Sequence, residues 1–181
     1  MYNVILADPP WKYQVFKGNK GKRTAESFYP CLSTEEIANL QVASLVGWNC
    51  ALFLWVTAPL LPDGLKIIET WGFRYITIGF TWIKTTKNGK IFKGMGHYTR
   101  ANAELCLLGI RGRMPVFDHS VSQVIVAPRQ EHSRKPDEVY ERIEQLYPNA
   151  NYVELFARRQ RVGWDAWGNE LDPTLRYGKL A

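Results

Sequence analysis

The tetrapeptide Asp8-Pro9-Pro10-Trp11 contains the residue types that most directly suggest chemistry. Consecutive prolines have no backbone N–H and a fixed φ, so the carbonyls of Asp8 and Pro9 remain available as acceptors in a rigid turn. A carboxylate beside a carbonyl matches a group with two N–H donors, such as the exocyclic amine of adenine, and Trp11 offers a flat surface for a purine. The same residues are also typical of a turn that ends a strand and buries a tryptophan.

Positive charge is concentrated in two stretches of the chain. The sequence has 23 Lys and Arg residues against 17 Asp and Glu, a formal net charge of +6. The first basic stretch, residues 12–30, contains Lys12, Lys17, Lys20, Lys22 and Arg23, and the second basic stretch, residues 84–100, contains Lys84, Lys87, Lys90, Lys93 and Arg100. Both stretches also contain glycine and aromatic residues, which predicts loops that follow nucleic-acid phosphates and stack on bases. Solvated surface loops would have the same composition.

Length and composition restrict the class of protein. With 181 residues, 46% hydrophobic and 22% charged, the sequence predicts one globular domain over 1–181, with a C-terminal tail at 171–181. The apolar run before Asp8 has no basic region ahead of it, so we expect neither a signal peptide nor a membrane span. Cys31, Cys50 and Cys106 show no CxxC spacing, and we therefore expect no metal site and a reducing, cytoplasmic location.

Hydrophobic periodicity predicts strands that alternate with amphipathic helices. Strands are expected at residues 4–7, 51–56, 75–83, 105–110, 124–127 and 152–156. Helices are expected to begin after a capping box at Ser33, to end at Gly72, and to begin at Pro136. This alternation favours an α/β sheet with helices on both faces. Because such sheets bind ligands at the carboxyl ends of their strands, Asp8, Lys84 and Phe156 are predicted to lie at the binding edge.

Several other residues could belong either to the core or surface of the fold or to a functional site. Trp55, Trp71 and Trp82 fall within strand or helix patterns and are predicted to belong to the core. His97, between a glycine and a tyrosine in the second basic stretch, is predicted to contact the substrate rather than to serve only as a turn residue. Glu104 opens a strand after that stretch, where it would face either a target base or solvent.

Further sequence blocks follow the tetrapeptide. They lie at residues 53–57, 71–73, 82–85, 96–98, 104–107, 132–138, 154–158 and 168–170. Together with Asp8-Pro9-Pro10-Trp11 they resemble, in order and over about residues 3–170, the MT-A70-like family of adenine-N6 methyltransferases, which are related to the catalytic subunit of the eukaryotic messenger-RNA adenosine methyltransferase.

The resemblance implies a Rossmann-like class I methyltransferase sheet that uses S-adenosylmethionine, permuted so that the catalytic motif precedes the cofactor motif. It implies that Asp8, Pro9, Pro10 and Trp11 are catalytic. The cofactor-binding residues that it implies are Asp8, Lys135, Glu154, Leu155, Phe156, Arg158, Gln160, Arg161, Asn169 and Glu170. Ala157 stands where glycine is common in the family, and Gln160-Arg161 replaces the usual His-Asn pair.

The activity implied by the resemblance is methyl transfer to the N6 amine of adenine in nucleic acid. DNA is favoured because the chain is similar to short prokaryotic and phage members that have no recognition domain. An RNA adenosine methyltransferase and a catalytically silent nucleic-acid-binding subunit remain alternatives. A protein-glutamine methyltransferase is less favoured because those enzymes have Asn-Pro-Pro-Tyr in place of Asp8-Pro9-Pro10-Trp11. A homodimer is also considered, because dimerisation would enlarge the nucleic-acid-binding face of so short a chain.

Overall fold

The computed structural model describes residues 1–12, 31–96, 98–130, 134–168 and 171. Within these residues the strands are Tyr2–Ala7 (β1), Val46–Val56 (β2), Arg74–Thr85 (β3), Ala103–Arg111 (β4), Val124–Pro128 (β5), Tyr152–Leu155 (β6) and Trp164–Trp167 (β7). The α-helices are Thr34–Ala38 (α1), Leu61–Thr70 (α2) and Glu138–Leu146 (α3). None of these helices has the length and apolar character needed to cross a membrane.

All seven strands form one sheet in the order β5-β3-β4-β2-β1-β6-β7. Strand β4 is antiparallel to both of its neighbours, and the other pairs are parallel. The carboxyl ends of six strands therefore meet the amino end of β4 along one side of the sheet, which we name the carboxyl edge. The opposite side is the amino edge.

Each face of the sheet buries its own hydrophobic cluster. Ile5 and Ala7 of β1 point into a cluster that includes α1 and α2, whereas Val4 and Leu6 point into a cluster that includes α3. This alternation follows from the period of two in a strand. The prediction of an α/β sheet with helices on both faces is thus confirmed.

The three tryptophans assigned to the core are buried, as predicted. The indole N–H of Trp71 donates to the Ile37 carbonyl at 3.1 Å, and that of Trp82 donates to the Ala127 carbonyl at 3.0 Å. Trp55 lies at the end of β2 near the carboxyl edge. Its buried indole N–H has no acceptor among the described residues.

Local signals mark the start of α1 and the end of α2 correctly. The capping box at Ser33 is formed, and Gly72 ends α2 with a φ of +83° that suits glycine. Five of the six predicted strands are longer in the structure, and β2, for example, begins at Val46 rather than at residue 51. Two other predicted boundaries were wrong. Helix α3 begins at Glu138 rather than Pro136, because the N–H groups of residues 139 and 140 donate to the carbonyls three residues before them instead of four. Strand β6 ends at Leu155 because Phe156 has a φ of +63°.

Candidate active site

A cavity of about 630 Å³ opens at the carboxyl edge, and Asp8 lies in its lining directly after β1. Both carboxylate oxygens of Asp8 accept hydrogen bonds from the Lys135 ammonium at 2.7 Å. Burial raises the pKa of the Asp8 carboxyl above its usual value, although the Lys135 charge opposes this effect. Two residues that are 127 positions apart in the chain are thus joined by the fold.

Lys135 also connects Asp8 to a second ion pair. Its ammonium lies 3.3 Å from an oxygen of Glu104, and the other Glu104 oxygen accepts a hydrogen bond from Lys84. We name this series Lys84–Glu104–Lys135–Asp8 the ionic chain, and its formal charges cancel. Burial opposes ionisation of Glu104, but Lys135 and Lys84 outweigh it, so the pKa of Glu104 is lowered. Burial likewise opposes the charge of Lys135, yet Asp8 and Glu104 raise its pKa.

A second carboxyl group lines the same cavity at Glu154, on β6. Burial raises the pKa of Glu154 to about 7, and a hydrogen bond from the Tyr140 hydroxyl only partly offsets this. Tyr140 comes from α3, so this bond connects the helix to the end of the sheet. Near neutral pH Glu154 therefore exists in both its protonated and its ionised form.

Residues 156–158 turn away from β6 along the cavity wall. Phe156 adopts its positive φ and packs edge-on against Trp167, with ring centroids 5.4 Å apart. The N–H of Ala157 donates to the Trp167 carbonyl at 2.9 Å. A Cβ on Gly168 would overlap the backbone of Ala157, so this close contact requires glycine. The turn presents Phe156 and Arg158 to the cavity.

Comparison with known proteins identifies the family to which this arrangement belongs. A family model described as MT-A70 matches residues 2–170. The chain belongs to the MT-A70 family. This confirms the resemblance drawn from the sequence blocks, and with it the Rossmann-like methyltransferase sheet that the resemblance implied.

Individual relatives differ in how much of their length the chain covers. It is 34% identical over 187 residues to a type II methyltransferase, M.MunI, of Mycoplasma sp. The match covers 94% of this chain and 78% of that protein. The chain is also 34% identical to an N(6)-adenosine-methyltransferase MT-A70-like protein of Arabidopsis thaliana and 32% identical to the human N(6)-adenosine-methyltransferase catalytic subunit METTL3. The chain again matches over 94% of its length, but spans only 24% and 28% of those two proteins.

Trp11 of the MT-A70 tetrapeptide does not present the open stacking face that the sequence suggested. Its side chain is 6% exposed, and its indole N–H donates to the Trp55 carbonyl at 3.1 Å. The Pro9 carbonyl accepts the Trp11 backbone N–H at 2.9 Å, and the Pro10 carbonyl accepts the N–H of Leu32 at 2.8 Å. A carbonyl has two lone pairs, so Pro9 keeps one acceptor position, whereas Trp11 anchors the turn to β2.

Two predicted cofactor residues lie away from the cavity. Gln160 and Arg161 line a separate depression at the amino edge. Gln160 donates to the Trp164 carbonyl at 2.6 Å, and Arg161 pairs with Glu144 at 3.3 Å. This placement follows from β7 being parallel to β6, because the connecting segment must return to the amino edge before β7 begins. Leu155 is fully buried, which leaves only its backbone near the cavity.

The predicted nucleic-acid residues divide into inward and outward groups. Lys84, predicted to contact nucleic acid, pairs with Glu104, predicted to face either a target base or solvent, because β4 runs antiparallel and brings its amino end to the carboxyl edge. Lys87 lines the cavity. The side chains of Lys12, Lys90, Lys93 and Arg100 are exposed. Seven residues named in the sequence analysis lie outside the described residues: Lys17, Lys20, Lys22, Arg23, His97, Asn169 and Glu170.

Sequence reasoning missed several residues that line the cavity. Tyr140 and Arg159 lie there, and Arg159 forms an ion pair with Asp137. Arg129 also lies there, immediately after β5. The available signal for Arg129 was its place after a predicted strand, since the carboxyl ends of strands converge on one edge.

Proposed function

We propose that this protein transfers the methyl group of S-adenosylmethionine to the N6 amine of adenine in nucleic acid, with DNA favoured over RNA. The observation that carries the proposal is the tetrapeptide carboxylate of Asp8, which lines the cavity at the carboxyl edge and is paired with Lys135. Such a carboxylate is an acceptor for an amine, and the MT-A70 family supplies the reaction class.

The residues of the cavity fit S-adenosylmethionine. Its volume of about 630 Å³ is that of a small-molecule site. Lys135 and Arg158 offer cations for a carboxylate, and Phe156 offers an apolar surface. Glu154 offers an acceptor for hydroxyl or ammonium groups, while the indole N–H of Trp55, which has no acceptor in the described part of the chain, is a buried donor beside the cavity. When bound, the cofactor supplies an electrophilic methyl group on a sulfonium.

Asp8 and Pro9 would orient the adenine amine. A carboxylate has about four lone-pair positions, so Asp8 can keep Lys135 while it accepts an N–H from the amine. The remaining acceptor position of the Pro9 carbonyl would take the second N–H, which turns the nitrogen lone pair toward the methyl carbon. Alignment of this kind can contribute about 7 to 11 kcal/mol to lowering the barrier. As the new N–C bond formed, the bond between the methyl carbon and the cofactor sulfur would break and leave a neutral thioether, and the amine proton would pass along its hydrogen bond to Asp8.

The preference for DNA rests on how much of each relative's length the match covers. The sequence spans most of a type II methyltransferase, but only about a quarter of the N(6)-adenosine-methyltransferases it matches. Similarity over 78% of a protein is stronger support than similarity to one region of a larger one. We therefore place DNA before RNA as the substrate.

The test is methyl transfer from labelled S-adenosylmethionine to single-stranded DNA, duplex DNA and RNA of one sequence. Digestion to nucleosides and mass spectrometry should yield N6-methyladenine in one or more of the three, most in DNA. Asp8→Asn serves as the chemical control, with cofactor binding measured by calorimetry. Cofactor binding without transfer to any of these nucleic acids would mean that the enzyme needs a partner or a specific target site. If the cofactor does not bind either, the silent nucleic-acid-binding subunit is favoured instead.

A further inference from the structure

The cavity at the carboxyl edge is lined from two parts of the sheet. The residues proposed to hold the cofactor, such as Glu154 and Arg158, belong to β6 and the turn that follows it. The other lining residues include Lys87, just after β3, and Arg129, just after β5. In the strand order, β5 and β3 lie at the far end from β6. None of the residues proposed to hold the cofactor belongs to this second part of the cavity.

Arg129 is held in place by backbone and by an aromatic ring. Its N–H donates to the Thr85 carbonyl at 3.1 Å, which extends the parallel pairing of β3 and β5 by one residue. Its guanidinium carbon lies 4.4 Å from the centroid of the Phe92 ring. An arginine stacked on an aromatic face gains a cation–π interaction and loses less freedom when a ligand binds. Arg129 is thus oriented before any substrate arrives.

Phe92 is itself fixed to the end of β3. Its N–H donates to the Lys84 carbonyl at 2.8 Å, and Thr86 and Lys90 form a backbone hydrogen bond at 2.8 Å that closes the turn between them. Gly89 adopts a φ of +75° within this turn. The turn carries Lys87, so the same structure that holds Phe92 under Arg129 also places a second cation at the cavity.

The charge of Arg129 is not neutralised within the described part of the chain. Other arginines pair with carboxylates: Arg134 and Arg159 with Asp137, Arg142 with Glu138, and Arg161 with Glu144. No described carboxylate pairs with Arg129, which is exposed. A planar guanidinium whose face rests on a ring directs its N–H groups outward in one plane, the geometry that matches phosphate oxygens.

We propose that Arg129, held against Phe92, binds a backbone phosphate of the substrate strand next to the target nucleotide. This inference rests on the proposed function for the nature of the substrate, and adds a positioning residue to it. Lys87 supplies a second positive charge at the same part of the cavity. Phosphate binding here would leave the base free to enter the cavity toward Asp8.

The test is the salt dependence of binding to a fluorescein-labelled single-stranded DNA oligonucleotide of mixed sequence. Each phosphate contact adds about 0.7 to the slope of log K against log salt. Arg129→Gln should therefore reduce the slope by about 0.7 and weaken binding about fivefold at roughly 0.1 M salt. Phe92→Leu keeps the charge, and should weaken binding about two- to fivefold with the slope preserved. Arg129→Lys should restore the slope.

The matched control is Arg113→Gln, which removes the same charge just beyond the end of β4 at the amino edge. It should leave both slope and affinity within twofold of wild type. Binding of S-adenosylhomocysteine should be equal in all variants, which verifies that the cavity is intact. If Arg129→Gln behaves like Arg113→Gln, this inference is overturned while the proposed function stands. If wild type binds the cofactor product but neither DNA nor RNA, both are overturned.

Discussion

Lys135 is the only described cation that contacts both Asp8 and Glu104, and its replacement by methionine should destabilise the protein strongly. Lys135→Met preserves much of the side-chain shape but leaves the Asp8 carboxylate without its paired charge. Glu104 keeps Lys84, so the main loss is at Asp8. Removing one partner of a buried ion pair costs about 3 to 5 kcal/mol, because the other charge remains buried.

The penalty should depend on pH. Burial and the nearby Glu104 already raise the pKa of Asp8, and without Lys135 it should rise further. A carboxyl whose folded pKa exceeds its unfolded value of about 3.9 stabilises the fold below that pH, and this contribution is lost as the pH rises through the folded pKa. The difference between wild type and Lys135→Met should therefore be largest at neutral pH and shrink on acidification.

Urea unfolding followed by tryptophan fluorescence measures this difference. At neutral pH we expect a loss of about 3 to 5 kcal/mol in the free energy of unfolding, or about 6 to 20 °C in Tm for a domain of this size. The control is Lys66→Met, whose partner Glu35 is 3.8 Å away and whose side chain is 59% exposed. A surface pair of this kind contributes about 1 kcal/mol or less.

Two results would refute this reasoning. One is a loss for Lys135→Met no larger than that for Lys66→Met, which would mean that the ionic chain contributes little to stability. The other is a penalty that stays constant or grows as the pH falls. That result would show that Asp8 does not take up a proton when its partner is removed.

Four further changes test the remaining assignments. Asp8→Asn should reduce methyl transfer about ten- to a hundredfold, since a charged acceptor is lost, with calorimetric cofactor affinity changed far less; equal transfer rates would contradict the role of Asp8. Burial raises the pKa of Glu154 to about 7 against 4.5, so the contribution of Glu154 to stability is fully present below about pH 4.5 and is lost as the pH rises through 7. Glu154→Gln should therefore remove up to about 3 kcal/mol of the decrease in the free energy of unfolding between these pH values. Denaturation at several pH values measures this, and an unchanged dependence of the free energy of unfolding on pH would contradict it. Arg161→Gln should leave cofactor affinity unchanged because Arg161 lies at the amino edge. A large loss of cofactor affinity would instead show that Arg161 contacts the cofactor. Gly168→Ala should lower Tm by several degrees because its Cβ overlaps Ala157, and an unchanged Tm would show that this turn relaxes easily.

Much of the sheet could be predicted because its central strands are unbroken apolar runs. Residues 51–56 are buried on both faces, and an unbroken apolar run of this length is typical of a strand that is covered on both faces. Strand β7 was missed for the opposite reason: it has four residues, alternates buried and exposed positions, and follows a glycine turn. Short edge strands carry too few residues for a periodicity to be recognised.

The site was predictable where local motifs carry the chemistry, and not where strand direction decides the outcome. Asp8 and Lys135 were assigned through their motifs, and both line the cavity. The inward pairing of Lys84 with Glu104 depends on β4 being antiparallel, which alternating strand and helix patterns do not reveal. The burial of Trp11 depends on an acceptor in β2, 44 residues away in sequence.

The antiparallel course of β4 also determines where variation can be tolerated. Because β3 ends and β4 begins at the carboxyl edge, residues 86–102 leave the sheet and return to it at the same place, where the Lys84 N–H donates to the Asn102 carbonyl at 2.9 Å. A loop with both ends fixed at the cavity can lengthen or shorten without altering the pairing of any strand. The length of this one loop can therefore change while the β1, β6 and β7 side of the sheet stays the same.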